Sequence, residues 1–271
     1  MADLPDHWGQ REDESARMEF TTWLETADRT GFDMAGERVN TASLRLGHRF
    51  ERNIQAWLAF HSDWTVLAAN HVIQLGKRTA GEIDLIIRNE VACVHLELAV
   101  KFYLSSAGSS QWETWRGIDP VDRLDLKLAK FQQQLRLSED AAVAQIFEEQ
   151  GLHITERRAW MKGWFFEHYS RIARPVLPKN ASPNCHVGWW CHEGDWEQIW
   201  SSAGQWVLLD PAHWLRVRHD PTDVHPLHSN PLLPQGKRKS NAWMVVQVEN
   251  EGGTYKEINR GVVVKNHWPE V

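Results

Sequence analysis

Two acids and a lysine stand within one short run of the chain, "GEIDLIIRNEVACVHLELAVK", from Gly81 to Lys101. Asp84 and Glu97 are carboxylates, hard oxygen donors suited to Mg2+ or Mn2+. Lys101 carries a charge that could orient an attacking water or neutralise charge developing on a phosphate. The residues around them alternate apolar and polar, the period of a β-strand, on which side chains two apart share a face. Glu82 and Asp84 then share one face, with Ile83, Leu85 and Ile87 on the other. His95, Glu97, Ala99 and Lys101 share a face opposite Leu96, Leu98, Val100 and Phe102. A hairpin across Asn89-Glu90 would set Asp84 and Glu97 on neighbouring strands with their carboxylates converging. His95 lies on the same face, placed either to touch a substrate or to pack.

The flanking pattern shows what could position these groups. In "LRLGHRFERNIQAWLAFH", Leu44 to His61, Leu46, Phe50, Ile54, Trp57 and Leu58 recur at spacings of three and four, which predicts a helix. "WTVLAANHVIQL" reads as a strand, "GKRTAG" as a turn, and "EIDLIIR" and "ACVHLELAVKFYL" as two more strands. A helix followed by a three-strand meander is expected. "SSAGSSQWETWRGIDP" is a small-residue loop of a length that is usually functional or mobile. Its Trp112, Trp115 and Arg116 suit stacking on unpaired bases, or a loop pinned by buried tryptophans. Asp122 is placed to cap the next helix, whose stripe is Leu124, Leu128, Phe131, Leu135 and Leu137. "AVAQIFEEQ" predicts a further helix and "RAWMKGWFFEHY" a strand. Beyond the Pro-rich "RPVLPKNASPN", the apolar runs "HVGWW", "QWVLL" and "WMVVQV" suggest β structure, separated by a long polar loop that carries Lys237 to Lys239. Near the N-terminus, "ARMEFTTWLETADR" reads as a short amphipathic helix.

The 271 residues carry a formal charge of −6, which argues against a protein coated with base for phosphate binding but allows a local cationic groove. Sixteen tryptophans are many, and core packing is their default use. Three cysteines, an odd number, and a polar acidic start without a signal-peptide pattern predict free thiols and a cytoplasmic location. No apolar run approaches a membrane span. "NCHVGWWCH" holds Cys185, His186, Cys191 and His192, but the gap matches zinc sites poorly. Hydrolase triad order, phosphate-cradling glycine loops and dinucleotide fingerprints are missing.

The span from about Leu44 to Leu137 resembles the core of the PD-(D/E)XK nuclease superfamily, which shares a helix, three-strand, helix, strand order. Asp84 in "GEID" matches the motif's first acid and Glu97 its second. Glu51 in "GHRFERN" matches the additional carboxylate that many members place on the leading helix. The superfamily pattern puts its lysine two residues after the second acid, where this chain has Ala99. Lys101 keeps the same face, with its Cα about 13 Å from that of Glu97 at roughly 3.3 Å per residue. Lys127 and Lys130 are other sources of positive charge, and Gln134 is similar to a glutamine some members use near the site. More narrowly, "GHRFERN", "GEIDLI", "HLELAVKFYL" and "DRLDLKLAKFQQQLRLS" resemble a bacterial family of unknown function, domain of unknown function 1853.

The resemblance implies an α/β protein with a restriction-endonuclease-like core over 44–170. An N-terminal extension (1–43) and a Trp-rich, β-containing C-terminal half (171–271) would flank it. It implies a Mg2+- or Mn2+-dependent nuclease acting on nucleic acid, with DNA expected ahead of RNA and no membrane partner. Asp84, Glu97 and Glu51 would hold the metal, Lys101 would serve the water, and His95, Arg116, Lys127, Lys130 and Gln134 would lie towards nucleic acid. The competing expectation is a catalytically inactive nuclease-fold module that binds nucleic acid or protein.

Overall fold

The computed structural model describes residues 46–61, 63–200, 204–215, 227–228, 233 and 242–270. The N-terminal extension, its expected amphipathic helix and the basic run Lys237 to Lys239 lie outside the described residues. By contact the chain forms two units: residues up to Val100 with Leu128–Lys162, and Lys101–Lys127 with the chain from Gly163 onward.

In the first unit, helix α1 (Leu46–His61) buries four of the five predicted stripe residues, Phe50, Ile54, Trp57 and Leu58, all under 9% exposed, and leaves Leu46 half-buried. Strands β1 (Thr65–Leu75) and β2 (Arg78–Arg88) pair antiparallel through a tight hairpin, Leu75 facing Arg78. The turn is shorter than the expected "GKRTAG". Gly76 takes φ +62° at its first position, as a two-residue hairpin of type II′ needs, so Arg78 to Gly81 join the strand. Strand β3 (Cys93–Ser105) begins here and pairs antiparallel with β2. Helix α2 (Leu124–Leu137) ends in this unit, followed by α3 (Ala141–Glu149) and the start of strand β5 (Glu156–His168). The strand order is β1-β2-β3-β5. Ile73, Ile83, Ile86, Cys93, Val143 and Phe147 form a core cluster.

The second unit takes the ends of β3 and β5. The small-residue loop is not open: its β4 (Trp115–Gly117) folds back on β3, Ser105 facing Trp115, and Trp115 is 0% exposed. Strand β5 continues in the order β5-β6-β10-β9-β7-β8, where β6 is His186–His192, β7 Gln205–Leu209, β8 Leu227–His228, β9 Ala242–Glu251 and β10 Thr254–Val264. Helix α4 (Trp196–Trp200) follows β6. Strand β6 is parallel to both β5 and β10, whereas β9 is antiparallel to β10 and β7. The protein is thus α/β with a mixed sheet.

Ten of the sixteen tryptophans are buried, and Trp189, Trp196, Trp206 and Trp243 share one core cluster, so packing accounts for most of them. Cys93, Cys185 and Cys191 are free thiols, and burial pushes Cys185 and Cys191 up from the usual thiol range.

Candidate carboxylate site

The β2–β3 ladder positions the first acid. Its paired residues run from Arg88↔Cys93 to Leu85↔Leu96. One more step would set Asp84 opposite Glu97, and there the strands stop pairing. The Asp84 side chain fills the gap, its Oδ2 accepting a hydrogen bond from the Leu98 backbone N–H at 2.7 Å. Residues facing one another across an antiparallel pair share a face, so Asp84, His95 and Glu97 do too. The expected parity holds.

That face is not open to water along β3. Ten of its thirteen residues are buried, with His95 and Glu97 at 0% exposure. A buried carboxylate is costly unless hydrogen bonds compensate it. Glu97 Oε1 lies 2.9 Å from His95 Nε2, and His95 Nδ1 lies 2.8 Å from Ser138 Oγ, just beyond α2. Arg157 on β5 donates to Ser138 from Nε at 2.9 Å, and from Nη2 to the Ser138 carbonyl at 2.8 Å. Burial, and then the Arg157 charge, pull the His95 pKa down to about 4 against an opposing pull from Asp84. With its proton affinity lowered in this way, His95 spends both ring nitrogens inside the protein, on Glu97 and Ser138. Ser138 and Arg157 had no local signal in the sequence: Ser138 lies 43 positions from His95 and closes a helix.

Glu51 brings α1 to the same place. Its side chain is 23% exposed, and His48 Nδ1 sits 3.4 Å from its Oε2. Burial and the neighbouring Asp84 charge raise its pKa, against a smaller lowering by His48. Two carboxylates that disfavour each other's ionisation are what a divalent cation relieves. The donor chemistry fits a hard cation, with Oε1 of Glu97 already engaged. Among the described residues, no group of three or more His, Cys, Asp or Glu side chains is gathered as a metal cage.

The cationic residues are placed otherwise. Lys101, in the second unit, holds Asp122 Oδ2 at 2.5 Å, and Tyr103 donates to Asp122 Oδ1 at 3.4 Å. Asp122, read from sequence as a helix cap, spends its carboxylate on these two groups. Arg116 donates to the Pro120 carbonyl, and Trp112 Nε1 to the Lys179 carbonyl, so both serve to fold their loop. Lys127 is half-buried and Lys130 exposed on α2. The buried Gln134 Oε1 has no hydrogen-bond partner among the described residues.

These features define an α/β protein with an acid at the open end of a strand pair and a second acid buried on a histidine. The chain belongs to the family described as Domain of unknown function (DUF1853), whose model matches residues 1–264. Comparison with curated proteins and with solved structures found no match. No described helix is long and apolar enough to cross a membrane.

Proposed function

We propose that the chain is a metal-dependent nuclease of the PD-(D/E)XK type, hydrolysing phosphodiester bonds in nucleic acid, with DNA the expected substrate. The observation that supports it is the end of the β2–β3 ladder: pairing stops at Leu85↔Leu96, one step before the Asp84 and Glu97 positions, and the Asp84 charge raises the Glu51 carboxyl. The order α1, β1 to β3, the short β4, α2, α3, β5 supports a restriction-endonuclease-like core, with β4 and α3 as additions to it. Asp84 and Glu51 would hold Mg2+ or Mn2+, joined by Glu97 through Oε2. The metal would supply Lewis-acid polarisation of a phosphoryl oxygen and a more acidic bound water. Asp84 also ties β2 to the Leu98 backbone, which fixes its approach. Lys101, four residues beyond Glu97 on the same strand, is the assigned cationic group and must exchange Asp122 to serve.

A second reading is favoured by two contacts, His95 on Glu97 and Asp122 on Lys101. Both tie up groups that hydrolysis would use, as expected of a nuclease-fold module that binds nucleic acid or protein without cutting. One assay separates the readings. Single-stranded, duplex and branched DNA and RNA are incubated with the protein and Mg2+ or Mn2+, beside Asp84→Ala and Lys101→Ala. Cleavage that both substitutions abolish supports the nuclease. Cleavage that survives Asp84→Ala refutes the site, and retention of substrate without cleavage supports the binding module.

A further inference from the structure

The hydrogen bonds behind Glu97 acquire a direction once protons are counted. A guanidinium has donors and no acceptor, so Arg157 Nε gives its proton to Ser138 Oγ. Ser138 keeps one proton, for His95 Nδ1 at 2.8 Å or the Leu135 carbonyl at 3.2 Å. An ionised Glu97, the form a cation needs, can only accept, so the facing His95 Nε2 must carry the hydrogen. A neutral imidazole has one N–H. Its Nδ1 is then the acceptor, and the Ser138 hydroxyl turns to it. For the uncharged ring that leaves one consistent arrangement, running from Arg157 through Ser138 and His95 to Glu97 Oε1.

This chain joins three elements: β5 supplies Arg157, the end of α2 supplies Ser138, and β3 supplies His95 and Glu97. His95, Glu97 and Ser138 are all 2% exposed or less, so water cannot substitute for a lost member without entering the core. We propose that His95 is a positioning residue: the buried donor chain fixes Glu97 Oε1 and thereby turns Oε2 to a divalent cation. The proposal rests on the carboxylate-site reading and deepens it. Partners that orient a metal ligand typically change metal affinity 10- to 100-fold when removed.

The test is nitrogen-15 NMR of histidine-labelled, full-length protein, with Mn2+ affinity measured by calorimetry on the same samples. The His95 signal is assigned by its loss in His95→Gln. Wild type is expected to show His95 protonated on Nε2 and bare at Nδ1. Ser138→Ala removes the donor to Nδ1 but leaves Glu97 to hold the Nε2 hydrogen, so it is expected to keep that tautomer and to weaken Mn2+ binding. His95→Leu should weaken Mn2+ binding about 10- to 100-fold, while His95→Gln, which keeps an amide N–H near the Nε2 position, should recover most of it. Circular dichroism melts check that each variant folds, and if His95→Leu does not, the Ser138→Ala affinity decides. A His95 protonated on Nδ1 overturns the proposal, as does a folded His95→Leu that binds Mn2+ as tightly as wild type. Wild type that binds no Mn2+ overturns the carboxylate-site reading and the cation-facing role together. The tautomer then judges the donor chain alone.

Discussion

Glu97 and Arg260 are both ionisable groups withdrawn from water, and each is held by named partners. Arg260, 2% exposed on β10, donates from Nε and Nη2 to the two oxygens of Glu257 at 2.8 and 2.7 Å. Its Nη1 reaches the Trp214 carbonyl at 2.7 Å, and its guanidinium lies 4.6 Å from the Trp164 ring centre. Removing one member of such a pair strands the other charge, at a cost of about 3–5 kcal/mol, whereas replacing both with apolar groups is often neutral. Glu257→Ala should therefore lower the urea midpoint by a corresponding amount, and Glu257→Leu with Arg260→Met should recover most of the loss. A double variant no more stable than the single one would show that the Trp214 and Trp164 contacts, not the carboxylate, hold the guanidinium.

At the scale of elements, two local devices make measurable claims. Asp140 caps α3, its Oδ1 accepting from the Ala142 and Val143 amides at 2.9 and 3.3 Å. Asp140→Ala should cost about 1 kcal/mol in thermal or chemical melts. Gly163 on β5 has φ +138°, and a Cβ there would stand 1.7 Å from the Lys101 carbonyl oxygen. Gly163→Ala should exceed the roughly 0.5–3 kcal/mol common for point substitutions, with loss of folded protein on expression the direct readout. Neither device is visible in side-chain periodicity. What was legible follows period and parity: the α1 stripe, the three-strand meander, the α2 stripe and the shared face of Asp84, His95 and Glu97. Strand β10 escaped because the first half of "TYKEINRGVVV" is polar and half-exposed, so no apolar run announces it. The depth of the β3 polar face escaped too. Alternation says which side a residue takes, but a strand paired on both edges and covered on both faces buries either side. Lys101 lies on β3 and is held by Asp122, a residue whose sequence position suggests a cap, because a capping aspartate and an ion-pairing one look alike in sequence.

For the molecule as a whole, His95 sets an acid limit on stability. In the unfolded chain it binds a proton near its ordinary value of 6.5, whereas in the fold burial and Arg157 delay this to about 4. Between those values the unfolded state carries the extra proton, so stability rises with pH. Acidification from pH 7 to 4 should remove up to about 3 kcal/mol through this group. The stability–pH curve of His95→Gln should be flatter over that window, and identical slopes would show that other groups dominate. The two units carry a different consequence. Their boundaries fall inside β3, α2 and β5, at Val100/Lys101, Lys127/Leu128 and Lys162/Gly163, rather than in connecting loops. One family model spans both. No single break in the gene separates them, since any one crossover splits at least one of the two units. One crossover therefore cannot exchange the carboxylates for a relative's and leave the tryptophan-rich sheet untouched, because the exchanged piece always carries part of the other unit or lacks part of its own.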